Sequence, residues 1–135
     1  MFANKLILAS SSEIRRQILE NNNISYVAAN HNYDEKILKS DKTLDPINLS
    51  LELAREKSLS LAYNYDNHVI LGCDQICLLE DKIFSKPLNS KKAIANLSKL
   101  AGKRHQLIGS YSFTRNGDVL YEETITTNMT MKPLT

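Results

Sequence analysis

The amino-acid sequence predicts an α/β fold, and three stretches carry that expectation. Leu6 to Leu19 reads as strand, turn and helix, and a second extended run follows almost at once. The stretch HVILGCD, His68 to Asp74, has no wet face and so reads as a central strand covered on both sides. Asn116-Gly117 joins two long extended segments in the manner of a two-residue hairpin. With 135 residues, 42% of them hydrophobic, the chain is long enough for one core and too short for two, so residues 1–135 are expected to form a single domain.

Taken in order, Leu6 to Ala9 is the first strand, and a serine cap leads into a helix whose apolar stripe is Ile14, Ile18 and Leu19, ending at Asn21-Asn22-Asn23. Ile24 to Ala29 is the second strand. Asn30 to Asp45 is polar and weakly patterned, which suggests a loop or short helix over the surface, and loops of that length usually carry function. Pro46 opens the longest helix, with Ile47, Leu51, Ala54, Ser58, Leu61 and Tyr65 at the spacing of a buried face. After the central strand, which delivers Asp74 at its carboxyl end, ICLLEDKIF suggests a tight hairpin about Glu80-Asp81. Asn89 then caps a helix that stops at Gly102. His105 to Thr114 and Val119 to Met131 form the closing hairpin. Thr135 reads as the cap of a helix that does not follow, so the chain is expected to lack the carboxyl-terminal part of its domain.

Composition excludes several functions. Seventeen basic and fifteen acidic residues leave a net charge of +2, too balanced to announce nucleic acid or an anionic membrane as partner. No apolar run reaches the length of a membrane span and the first residues lack a signal-peptide pattern, so a cytoplasmic location is the default. Cys73 and Cys77, if on one strand, lie about 13 Å apart, beyond disulfide reach, and read as buried thiols. His31, His68 and His105 lack the spacing of a ligand set and read as structural or solvated.

Two places look equipped for chemistry. A helix that starts straight after a strand presents free amides and the positive end of its dipole. Here Ser10, Ser11 and Ser12 add hydroxyls, and Arg15 and Arg16 add guanidinium groups suited to phosphate. The plainer alternative is a serine cap followed by solvated arginines. Asp74, at the end of a strand where α/β sheets bind ligands, is placed for metal or water activation; alternatively it is a turn former. Lys86, fixed by Pro87, could offer a point charge to a phosphate, and Glu35 and Lys57 complete the candidates.

These residues carry a resemblance to the Maf family of nucleoside triphosphate pyrophosphatases, also called septum-formation-inhibitor-like proteins. The family's S-x-x-R turn is met by Ser12-Glu13-Ile14-Arg15, its acidic pair by Asp34-Glu35 and its A-x-E-K-A helix by Ala54-Arg55-Glu56-Lys57-Ser58. Its G-[AS]-D-[TQ] strand is met by Gly72-Cys73-Asp74-Gln75, its KP by Lys86-Pro87, and its L-x-G-[KR]-x-H by Leu100 to His105, all in the family's order. Ile14 stands where many relatives place an arginine. The resemblance implies a mixed, twisted sheet with flanking helices, like that of the inosine triphosphate pyrophosphatases, and a substrate cleft. It implies that Ser12, Arg15, Lys57 and Lys86 hold the triphosphate, with Ser10 and Arg16 from the same turn, and that Glu35 and Asp74 bind a divalent cation, Mg2+ or Mn2+. Asp74 would also be the base for the attacking water. Gln75 resembles the branch that acts on 7-methyl-GTP; pyrimidine nucleotides such as dTTP and UTP are the other possibility. The expected partners are a nucleoside triphosphate and, as a homodimer, a second copy. The competing expectation is a nucleotide-binding or division-associated protein without turnover.

Overall fold

A computed structural model describes residues 5–10, 12–40, 43–79, 82–84 and 104–130. The element order is β1 (Leu6–Ala9), α1 (Glu13–Asn21), β2 (Tyr26–Ala29), α2 (Lys36–Lys39), α3 (Pro46–Leu59), β3 (Ile70–Leu79), β4 (Lys82–Phe84), β5 (Arg104–Arg115) and β6 (Asp118–Thr130). Among the described residues the strands form one six-stranded sheet in the order β2-β1-β3-β5-β6, with β4 pairing β3. The sheet is mixed, as expected: β1 runs parallel to β2 and β3, while β5 is antiparallel to β3 and to β6. The expected helix from Asn89 to Gly102 and the turn residues Glu80 and Asp81 lie outside the described residues. No helix among them is long and apolar enough to cross a membrane.

Local chemistry explains the boundaries. The Ser12 side chain accepts from the Arg15 amide and caps α1. Asp45 does the same for α3 through the Asn48 amide at 2.8 Å, with Pro46 at the first helical position. Asn116 and Gly117, at φ 52° and 85°, make the left-handed turn that closes β5 on β6, with Arg115 facing Asp118. The two cysteines stand on β3, both free.

Three expectations about the helices and the central strand need correction. In α1 only Leu19 is buried; Ile14 and Ile18 are 71% and 55% exposed, because nothing described covers that side of so short a helix. The α3 helix ends at Leu59, and its buried residues are Leu49, Ser50, Leu53, Ala54, Lys57 and Ser58, whereas Ile47 faces solvent. The cause is Gly72. A Cβ there would lie 2.1 Å from the Ala54 carbonyl oxygen and 2.7 Å from the Ser58 amide nitrogen, so the helix backbone rests directly on the strand and its small residues must face inward. Finally, β3 does not stop at Asp74. It runs on to Leu79, because β5 continues to pair with it beyond the reach of β1.

The core lies on both faces of β1 and β3. Leu8, Leu71 and Cys73 pack with Leu19 of α1 on one face; Ile7, Ala9 and Ile70 meet Leu61 on the other. Leu49 and Leu53 of α3 cover Ile76 and Ile108. Between α3 and strands β3 and β5 the contact is hydroxyl-rich: Ser58 donates to the Ile70 carbonyl of β3 at 2.7 Å and lies 2.6 Å from the Thr114 hydroxyl of β5. Ser58 and Thr114 satisfy each other there without holding the helix away.

Arg55 of α3 clamps β6 with two hydrogen bonds to Glu122, at 2.9 and 2.7 Å. The Arg55 hydrogen bond and charge hold the Glu122 carboxyl below its ordinary value of 4.5, outweighing partial burial. A carboxyl depressed by folding stabilises above its unfolded pKa and loses that contribution as the pH falls through the folded value. Arg55→Ala is expected to cost about 1 kcal/mol at neutral pH, solvent screening included. The difference from wild type in urea midpoint should shrink as the pH is lowered below 4.5.

Candidate active site

The parallel strands β2, β1 and β3 point their carboxyl ends to the same edge of the sheet, with Ala9 beside Ala29 and Leu8 beside Leu71. Ligands in α/β sheets bind beyond that edge. Three segments emerge there: the serine turn after β1, the loop from Asn30 to Glu35 after β2, and the Gly72 to Asp74 stretch of β3.

The first segment forms a tight polar knot. Ser10 Oγ accepts from the Ser12 amide at 3.1 Å and from the Arg15 guanidinium at 3.2 Å, while Ser12 Oγ accepts from the Arg15 amide at 3.4 Å. Both hydroxyl oxygens therefore serve as acceptors, which leaves their own protons to donate to an anion. Arg15 and Arg16, adjacent on a helix, point about 100° apart. The structure accordingly turns Arg15 to Ser10, while the charge of Arg16 is felt at Tyr26, which donates to Glu20. Arg16 Nε is buried without a hydrogen-bond partner among the described residues, so of the two arginines only Arg15 has a contact with the serine turn there.

The second and third segments meet through α3. Gly72 lets the helix descend onto β3, and the next residue on the same strand face, Asp74, receives Lys57. The Lys57 ammonium lies 3.1 Å from Asp74 Oδ1 and 2.7 Å from Glu35 Oε1, bridging both carboxylates. Lys57 and Asp74 are each only 8% exposed. Partial burial opposes ionisation of Glu35. The Lys57 hydrogen bond and charge, with Lys39 and His31, nevertheless hold its pKa below the ordinary value. Asp74 Oδ2 is buried with no hydrogen-bond partner among the described residues.

Cys73 ties the two clusters together. Burial pushes its thiol up and Asp74 adds to that, while the charges of Arg15 and Lys57 act against it. One buried atom thus feels the serine turn and the Lys57 cluster at once. Gln75 is exposed on the face opposite Asp74, opposite Gly109 of β5, and so takes no part in the Lys57 cluster. Ser11 and Lys86 lie outside the described residues.

Sequence reasoning set aside His31, yet it belongs to this neighbourhood. Its Nδ1 accepts from the Tyr33 amide at 3.3 Å, and its pKa is lowered first by burial and then by Lys57, with Glu35 opposing. Its position just past the carboxyl end of β2 was the available signal. His68 pairs with the Asp66 carbonyl, and His105 is buried in β5.

Among the described residues no group of three or more His, Cys, Asp and Glu side chains forms a protein cage. Two neighbouring carboxylates with one free buried oxygen do suit Mg2+ or Mn2+, which commonly take one or two carboxylates and complete their shell with water and substrate phosphates.

A family model described as Maf-like protein matches residues 5–135. The chain is 35% identical over 134 residues to the nucleoside triphosphate pyrophosphatase of Pelagibacter ubique, covering 97% of this chain and 69% of that one. It is 31% identical over 130 residues to the nucleoside triphosphate pyrophosphatase of Legionella pneumophila, covering 96% and 65%. It is 34% identical over 135 residues to the 7-methyl-GTP pyrophosphatase of Bartonella quintana, covering 99% and 68%. The chain thus spans about two thirds of the length of these relatives. A solved dITP/XTP pyrophosphatase from Mycobacterium abscessus is similar at 12% identity and a TM-score of 0.47, covering 93% of this chain and 70% of that one; a likeness so loose carries no argument.

Proposed function

The chain belongs to the Maf-like protein family, and from that premise we propose that it is a metal-dependent nucleoside triphosphate pyrophosphatase, releasing a nucleoside monophosphate and pyrophosphate. The observation that carries the reading is the convergence of Glu35, Lys57 and Asp74 beside the Ser10-Ser12-Arg15 turn at the carboxyl edge of the parallel strands.

Each residue has a task that follows from its position. The first-turn amides of α1, the hydroxyls of Ser10 and Ser12 and the guanidinium of Arg15 would take phosphate oxygens of the triphosphate. Lys57 would add a mobile positive charge against the same anion. Asp74 Oδ2, buried and without a partner among the described residues, would accept a proton from water as the water oxygen attacks the α-phosphorus. The bond from that phosphorus to the bridging oxygen then breaks, and pyrophosphate leaves. A divalent cation held by Glu35 and Asp74 would supply neutralisation of the phosphate charge that otherwise repels the nucleophile.

The test is release of pyrophosphate from a panel containing the canonical ribo- and deoxyribonucleoside triphosphates and 7-methyl-GTP, with Mg2+ or Mn2+. Release from at least one substrate, abolished by chelation, is expected. The same panel reads the base preference, with 7-methyl-GTP, the substrate of the branch that Gln75 resembles, and dTTP or UTP as the two possibilities. No release from any substrate would overturn the reading.

A further inference from the structure

The ammonium of Lys57 stands where the proposed function needs a cation. It lies 2.7 Å from Glu35 Oε1 and 3.1 Å from Asp74 Oδ1, inside the pair of carboxylates assigned to Mg2+ or Mn2+. A divalent cation between the same two carboxylates would repel an ammonium held there, and at this burial the repulsion is poorly screened. We propose that Lys57 is an internal counter-ion: it keeps the Glu35–Asp74 pair closed to a free divalent cation until a polyphosphate anion draws the ammonium away, so that cation and nucleotide enter together.

Several features of the structure support this exchange. The α3 backbone under Lys57 is fixed, since it rests on Gly72 and is clamped by Arg55 to Glu122. Any movement of the charge therefore belongs to the four-carbon side chain, which is flexible and carries rotatable donors. The ammonium also leaves the pair unsaturated among the described residues, where Asp74 Oδ2 has no hydrogen-bond partner and Glu35 Oε2 has the distant, half-exposed Lys39 at 3.8 Å. Lys57 is thus held firmly enough to offset two nearby negative charges, and its departure frees Glu35 Oε1 and Asp74 Oδ1 for a successor. Exchange of one cation for another conserves the compensation of those carboxylates, and the departing ammonium gains a phosphate oxygen in return. The role rests on the assignment of Glu35 and Asp74 to the cation in the proposed function.

The experiment uses Mn2+ alone, followed by the electron paramagnetic resonance signal of the free ion, and inorganic triphosphate alone, followed by calorimetry in EDTA. Folding of each variant is checked by circular dichroism. Lys57→Met is expected to bind Mn2+ on the order of tenfold tighter than wild type, and to bind triphosphate on the order of tenfold more weakly. A merely structural role would weaken both. Lys57→Gln, whose amide can still donate to a carboxylate, carries the same prediction should Lys57→Met not fold. Mn2+ affinity unchanged or lower in the folded variants overturns the counter-ion role, even if wild type releases pyrophosphate. Opposite shifts in a protein that releases none would sink the pyrophosphatase reading and leave the counter-ion role standing.

Discussion

Asp74→Asn is expected to reduce pyrophosphate release by about 10²- to 10⁴-fold, the range by which a positioned general base accelerates proton transfer. The substitution is nearly isosteric, and its amide oxygen can still accept from Lys57, which lies 3.1 Å from Oδ1 in the wild type. It removes the basicity of Oδ2, a buried carboxylate oxygen without a partner among the described residues. The Lys57 ammonium keeps Glu35 at 2.7 Å, so the charge left behind is not uncompensated. A stability cost of about 1–3 kcal/mol, that of one charged hydrogen bond, is therefore expected beside the much larger loss of rate. Steady-state pyrophosphate release read together with a urea midpoint separates the two. A variant active to within a few-fold of wild type would remove Asp74 from the chemistry.

Gly72→Ala is expected to be the most damaging single substitution for the fold. The added methyl carbon would meet the Ala54 carbonyl oxygen at 2.1 Å and the Ser58 nitrogen at 2.7 Å. Both are helix backbone, so no side chain can rotate away, and α3 must lift from β3. Lifting it breaks the Ser58 hydrogen bond to Ile70 and draws Lys57 away from Asp74, so packing and site fail together. Overpacking of this kind costs about 3 kcal/mol or more, a large share of the 5–15 kcal/mol that holds a typical domain together. Equilibrium unfolding in urea measures it; a midpoint within error of wild type would show that the helix does not rest on Gly72.

The parts of this fold that were legible in sequence are those governed by local chemistry. The serine cap of α1, Pro46 at the start of α3, the all-apolar run of β3 and the Asn116-Gly117 turn each act within a few residues, and each appears as read. What periodicity misjudged depends on contacts between distant elements. Ile14, Ile18 and Ile47 are apolar at helical spacing yet exposed, because which face of a helix is buried depends on what stands opposite. For α3 the spacing placed Ala54, Ser58 and Leu61 inward correctly and misplaced Ile47; Gly72 is the partner that seats Ala54 and Ser58. Asp74 was read as a strand end because the hydrophobic run stops there, but its antiparallel pairing with Ser110 carries the strand past it.

The site was legible residue by residue and less so as an arrangement. Family motifs pointed to Glu35, Lys57 and Asp74 separately, and the structure joins them through a single ammonium. Arg15 reaches Ser10 directly, a contact that adjacency in sequence does not reveal. Position past the carboxyl end of β2 was the one hint of His31 in the sequence; the influence of Lys57 and Glu35 on it arises from the folded arrangement.

The central claim is that these separate segments act on one triphosphate, with water directed at its α-phosphorus. Hydrolysis of the preferred nucleotide in 18O-labelled water, followed by mass spectrometry of the products, tests it most directly. The account predicts label in the nucleoside monophosphate, unlabelled pyrophosphate, and neither product from Asp74→Asn above background. Label in pyrophosphate, or release of inorganic phosphate and a nucleoside diphosphate instead, would contradict it.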